Sequence, residues 1–181
     1  YGDLIYELSF KEAINSKPPI ISDYKIITFG ITVPEIEEIY SSNKYLEVNN
    51  SLIPNGRFVS TKNSIFNFNK FSNLNYKIQK LFNLNKQNGF DLTYLINEKS
   101  NKYIATLRNQ INKIKIDIFS NFPALTLYTG QHLKFKKKLF PFHGVCLETE
   151  FCPDTPNHKN FPSTLIMPNK RYIYFTKIKI S

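Results

Sequence analysis

Two short segments constrain the fold of this chain more than anything else in it. Lys113-Ile114-Lys115-Ile116-Asp117-Ile118 alternates charge and isoleucine without a break, and Lys177-Ile178-Lys179-Ile180 repeats the pattern. A period of two places the isoleucines on one face of an extended strand and the charges on the other. Further strand signals follow the Asn88-Gly89 turn in regular order: Phe90–Asn97, Lys102–Arg108, Lys113–Phe119, Leu125–Thr129, Gly144–Glu150 and Arg171–Ile180. Many such strands joined by short turns predict an all-β chain, an antiparallel β-sandwich or larger sheet assembly.

The upstream half reads the same way. Leu4–Phe10 alternates until Lys17-Pro18-Pro19 ends it, because proline removes a ladder donor. Residues 20–32 are β-branched and aromatic, and Glu35–Tyr40 is a short strand or turn after Pro34. Asn49-Asn50 and Pro54-Asn55-Gly56 mark two turns. One short helix is expected over residues 70–83, where Phe71, Leu74, Ile78, Leu81 and Phe82 recur at helical spacing. With no internal repeat and no linker, residues 1–181 read as a single domain.

Composition narrows the function. Hydrophobic residues make up 41%, aromatic 15% and charged 21% of the 181 residues, which is a globular balance. The net charge of +10 raises nucleic acid as a partner. The lysines are scattered apart from Lys136-Lys137-Lys138, and Lys, Asn and Ile are all abundant, as AT-rich codon usage produces. No nucleic-acid module accompanies the charge, so no nucleic-acid partner is expected. No apolar run is long enough to cross a bilayer, and no membrane association is expected. Two cysteines, Cys146 and Cys152, are too few for a disulfide framework and point to a reducing, cytoplasmic location. The chain begins at Tyr1 rather than Met, which reads as a fragment or a processed product.

Chemistry concentrates in residues 144–163, GVCLETEFCPDTPNHKNFPS. On a strand, Val145 and Leu147 face the core while Cys146, Glu148 and Glu150 face a cleft or solvent. Two carboxylates on one face repel, which raises the pKa of one of them and suits it to taking and returning a proton. His132, His143 and His158 all read as loop residues. A zinc site from His143, Cys146, Cys152 and His158 is disfavoured, because alternation puts His143 and Cys146 on opposite faces and the spacing fits no standard module.

The stretch GVCLETEFCPDTPNHKNFPSTLIMPNKRY resembles the C-terminal signature of the galactose mutarotases, the aldose 1-epimerase family. Other family-like pieces precede it in order: Tyr45-Leu46-Glu47-Val48, Leu52-Ile53-Pro54-Asn55-Gly56, Phe66-Asn67-Phe68, Gly89-Phe90-Asp91 and Leu127-Tyr128-Thr129-Gly130. The resemblance covers most of residues 40–180. It implies the mutarotase-like supersandwich, present as the C-terminal portion of the family domain or as a shortened copy. It also implies interconversion of the α and β anomers of a free monosaccharide such as glucose or galactose, with no metal and no organic cofactor. Glu148 matches the family's catalytic base, and Asp91 matches its substrate-binding aspartate.

The family's acid is a histidine. Aligned without gaps from Lys17-Pro18, Ile26 stands at its position, a one-residue shift offers Lys25, and no histidine precedes His132. Thr126 replaces a family glutamine that contacts sugar, Glu150 replaces the glutamine of the Glu-Thr-Gln motif, and Leu92 stands where a histidine is common. Two functions follow: an aldose 1-epimerase, or a catalytically impaired mutarotase-like carbohydrate binder.

Overall fold

A computed structural model describes residues 35–39, 41–85, 87–96, 102–111, 113–134 and 140–181. The strands expected over 4–10 and 20–32, Ile26 and the lysine run at 136–138 lie outside these residues. Ten strands and one helix are described: β1 (Glu35–Ile39), β2 (Ser41–Val48), β3 (Pro54–Ser60), β4 (Ser72–Asn73), α1 (Leu74–Asn85), β5 (Asp91–Ile96), β6 (Tyr103–Arg108), β7 (Lys115–Ser120), β8 (Ala124–Tyr128), β9 (Cys146–Glu150) and β10 (Thr176–Ile180). They form two five-stranded sheets, ordered β10-β7-β6-β1-β4 and β3-β2-β5-β8-β9. Every described pairing is antiparallel.

The alternating segments explain how the layers meet. In β7, Ile116 and Ile118 enter a core shared with Ile104 and Leu107 of β6 and with Leu92, Tyr94, Leu125 and Leu127 of the other sheet. The apolar faces of both sheets therefore close on one another, as alternation requires when one face of each is buried. The register pairs Ile178 with Ile118 and Ile180 with Ile116, so β10 continues the same face. Yet Ile178 and Ile180 are 41% and 52% exposed. The core face of the first sheet runs one strand beyond its cover.

Polar residues on the other face of β6 and β7 are organised around Asp117. Its Oδ1 accepts hydrogen bonds from the Thr106 hydroxyl at 2.7 Å and the Tyr103 hydroxyl at 3.2 Å, with Lys115 Nζ at 3.3 Å. Burial alone would raise this carboxyl. The bonds from Thr106, Lys115 and Tyr103, with the charge of Lys115, outweigh it and hold the pKa below the usual carboxylate value. A depressed folded pKa stabilises the fold fully above the unfolded value of about 3.9 and loses that contribution as pH falls through the folded value. Asp117→Asn should therefore cost about 1.5–3 kcal/mol in urea denaturation at neutral pH, the value typical of hydrogen bonds to a charged group. The difference from the parent chain should shrink below pH 4. A constant gap across that range would refute the assignment.

The helix begins later than its periodicity suggests. Asn73 Oδ1 accepts the Tyr76 backbone N–H at 2.9 Å, an N-cap that starts α1 at Leu74. Leu74 and Leu81 are buried and Ile78 packs beside them, but Phe71 and Phe82 are exposed. Phe71 precedes the cap, and Phe82 is rotated off the buried stripe. Strand ends differ from expectation by up to five residues, most at β10, where 171–175 approach as a loop. Pro54-Asn55-Gly56 opens β3 rather than forming a turn; the turn is closed by Asn49, whose backbone N–H bonds the Ile53 carbonyl at 2.9 Å. Proline is tolerated at the first position of an edge strand, where its missing N–H breaks no ladder.

Candidate functional site

The second sheet has two unequal faces. One closes the main core; the other carries Asp91 and Thr93 of β5, Thr126 and Tyr128 of β8, and Cys146, Glu148 and Glu150 of β9. Register brings these together. Asp91 pairs with Tyr128 and Tyr128 with Cys146; Thr93 pairs with Thr126 and Thr126 with Glu148. Directly opposed residues share a face, so these rows form one polar patch across three strands. Asp91 and Glu148 stand on strands two spacings apart, roughly 10 Å in the hydrogen-bonding direction.

Several features hold this patch in place. The Thr129 hydroxyl accepts the Phe90 backbone N–H at 2.8 Å, and Thr129 N–H bonds the Phe90 carbonyl at 3.0 Å. The Gly89-Phe90-Asp91 and Leu127–Gly130 motifs, far apart in sequence, are thus one structural unit. Thr129→Val should cost about 1–3 kcal/mol in thermal or urea denaturation, because it leaves a buried N–H without its acceptor. Gly130 adopts φ 69°, and a Cβ there would lie 2.5 Å from the Gly144 carbonyl oxygen. This close approach fixes where the chain enters β9, and hence the position of Glu148.

Beyond β9, the proline-rich loop folds back over part of the patch. Its Cys152 and Phe161 form a small second core with Leu46 and Ala124, flanked by Phe58 and Leu95. The Phe161 ring lies 5.1 Å from that of Phe58, and Asn160 Nδ2 donates to the Gly56 carbonyl at 2.9 Å. The loop also contains a 3-10 turn at Thr155–Asn157, after Asp154 in the left-handed region at φ 61°.

The electrostatics of the face are those of crowded acids. Burial raises the Asp91 carboxyl, opposed by the charge of His132. Burial also raises Glu150, helped by the charges of Glu148 and Asp91 and opposed by a hydrogen bond from Thr126. The acid pushed upward by its neighbours is thus Glu150. The Thr93 and Thr126 hydroxyls lie 2.6 Å apart, and Thr126 Oγ1 donates in turn to Glu150 Oε1. Among the described residues, Asp91 also lines an open cleft of about 470 Å³ with Tyr45, Glu47, Gln131 and His132. Glu148 lies outside that lining, exposed on the edge strand.

Both cysteines are free thiols, Cys146 exposed and Cys152 buried. Burial, then the charge of Glu150, pushes Cys152 up to about 11; burial and the charges of Glu148 and Asp91 raise Cys146. Iodoacetamide at pH 8 should therefore alkylate Cys146 slowly and Cys152 only after unfolding, read by peptide mass spectrometry. Equal labelling of both in the native chain would contradict this placement.

Alternation along residues 145–150 already placed Glu148 and Glu150 on this face with Cys146. The alignment of Asp91 and Thr93 with β9 was hidden, because it depends on β8 lying between them. His132, read as a plain loop residue, brings its charge to Asp91; a polar side chain just after a strand end was the only signal. Among the described residues no three His, Cys, Asp or Glu side chains converge as metal ligands, and no helix is long and apolar enough to cross a membrane.

Comparisons with known proteins agree with this architecture. The family model for aldose 1-epimerase matches residues 31–179. The galactose mutarotase of Mus musculus is 29% identical over 152 residues, 80% of this chain and 43% of that protein. The aldose 1-epimerase of Escherichia coli K12 is 25% identical over 145 residues, 75% of this chain and 42% of that one. The crystal structure of an aldose epimerase homologue from Caenorhabditis elegans superposes with a TM-score of 0.73 at 19% identity, covering 83% of this chain and 46% of its own, so the two share a fold. The chain thus spans somewhat under half the length of the relatives it matches. The family match, over most of the sequence and over both sheets, makes this chain a member of the aldose 1-epimerase family.

Proposed function

We propose that this chain acts on the anomeric centre of a free aldose, with Glu148 as the base and Asp91 as a ligand to sugar hydroxyls. The observation that carries this reading is the shared register: β8 sets Asp91 and Glu148 on one face, with Thr126 and Tyr128 between them. Glu148 takes the proton of the anomeric hydroxyl, the ring oxygen gains a proton, and the C1–O5 bond breaks to give the open aldehyde. Rotation about C1–C2 and reclosure on the other face yields the opposite anomer. The exposed Glu148 carboxylate has the solvent access that a hydroxyl substrate requires, and half-buried Asp91 has the fixed position that orientation requires.

A second reading, a sugar binder without turnover, is favoured by Ile26 and by the lack of any histidine before His132. The test is polarimetry on freshly dissolved α-D-galactose or α-D-glucose, paired with amide exchange on the same samples. Acceleration that disappears in Glu148→Gln supports the catalytic reading. Sugar-dependent protection of β5, β8 and β9 without acceleration supports the binder. Neither acceleration nor protection would overturn both.

A further inference from the structure

We infer that Glu150 is the proton donor of this site, a second catalytic carboxyl working beside Glu148. The inference rests on the anomeric-centre reading above and adds the group that reading lacks. Its basis is geometric. Glu150 pairs across the ladder with Ala124, and Glu148 pairs with Thr126. The Glu150 side chain does not stand over Ala124; it reaches diagonally to receive the Thr126 hydroxyl. Its carboxyl is thereby drawn toward the row that Glu148 occupies. Thr93, buried behind Thr126, bonds that hydroxyl and fixes the direction in which it donates. The Glu150 carboxyl thus sits at the threonine that pairs with Glu148 in the ladder, and both glutamates occupy one face of β9.

Such a pair divides its roles by environment. Glu148 is exposed and Glu150 half-buried. The charged groups facing Glu150 are Glu148 on its own strand and Asp91 from β5, and the Cys152 thiol lies beyond it. Burial and both carboxylates favour its protonated form, against the single hydrogen bond from Thr126. A neutral carboxylic acid beside an ionised one supplies both halves of the proton traffic. Glu148 accepts the O1 proton, Glu150 gives its proton to O5, and the C1–O5 bonding pair leaves with O5. On reclosure each proton returns along the reverse path, so the pair ends as it began and no co-reactant is consumed.

The experiment is initial-rate polarimetry on α-D-galactose with the 181-residue chain, in dilute buffer from pH 4 to 9. Glu150→Gln should lower the accelerated rate by ~10²–10⁴-fold, the usual contribution of a positioned acid or base. Glutamine still offers an oxygen to Thr126, so the fold is kept, as circular dichroism would verify. Glu150→Asp, which keeps an acid on a shorter stem, should restore part of the rate. The parent chain should lose activity as pH rises through the Glu150 pKa. Thr126→Val, by removing the bond that favours the charged form, should move that alkaline limb to higher pH. A purely structural role for Glu150 would not shift the limb. Full activity in Glu150→Gln, or an unmoved limb in Thr126→Val, overturns the assignment while leaving Glu148 as base. A parent chain that protects β5, β8 and β9 with sugar yet accelerates nothing also overturns it, and leaves the site as a sugar site. No binding and no acceleration overturns both.

Discussion

Glu148→Gln should reduce the mutarotation proposed for this chain by ~10²–10⁴-fold, falling on kcat rather than KM. Glutamine is nearly isosteric and still accepts a hydrogen bond from the anomeric hydroxyl, so binding survives while proton abstraction does not. Folding should be nearly indifferent, with a change within about 0.5 kcal/mol, as for other exposed substitutions. The reason lies in β9, whose hold on the protein comes from the opposite face, where Val145 and Leu147 pack against the main core. One further effect distinguishes a removed charge from a general disturbance. The Glu148 carboxylate contributes to the raised pKa of Cys146 and of Glu150, so both should fall in the variant. Cys146 should then alkylate faster at pH 8, measurable beside the polarimetric rate. A variant retaining more than half of the parent rate would remove Glu148 from the mechanism.

Phe90→Ala should destabilise the fold by about 3–5 kcal/mol, the range for truncating a fully buried aromatic. Phe90 is 0% exposed, immediately before Asp91. Its ring meets Phe68 edge-on at 5.2 Å and Phe66 at 6.2 Å. Phe68 in turn lies 6.1 Å from Tyr94, whose hydroxyl donates to the Phe66 carbonyl at 3.0 Å. Alanine would empty the centre of this cluster, and the backbone tie between Phe90 and Thr129 prevents the strand from collapsing into the void. Each edge-on ring pair adds about 0.5–1.5 kcal/mol beyond area burial, which places the loss toward the upper end. Urea denaturation measures it, with Leu84→Ala as the comparison: Leu84 is 63% exposed on α1 and should shift stability by less than about 0.5 kcal/mol. Similar midpoints for the two variants would mean that Phe90 is not at the centre of the core. Asp91, one residue on, should lose definition with it, so the sugar binding proposed above should weaken alongside stability.

Local order explains which parts of this fold could be read directly. Lys113–Ile118 and Lys177–Ile180 stated their faces in full, because side-chain direction on a strand follows from the backbone alone. The same rule oriented Val145–Glu150 correctly and put Glu148 beside Glu150. It did less well where a local signal has two structural uses. Pro54-Asn55-Gly56 has the composition of a turn but opens β3, and Phe71 and Phe82 fit a helical stripe they do not join. Pro54 was decided by its partner strand, since β2 recruits it, and the helix start by a cap, since Asn73 sets where α1 begins.

The sequence by itself determined the period of each strand, the antiparallel two-sheet class, the family, and the type and order of the acids. Tertiary structure alone decided that β8 would stand between β5 and β9, and so set Asp91, Thr93, Thr126 and Glu148 on one surface. It alone turned Glu150 toward Thr126 and left Ile178 and Ile180 uncovered on a core-facing strand. The physical reason is that periodicity is encoded within a few residues, whereas register between strands is chosen by contacts across tens of residues. A period of two tells each side chain which way to point, and only the neighbouring strand determines what it meets there.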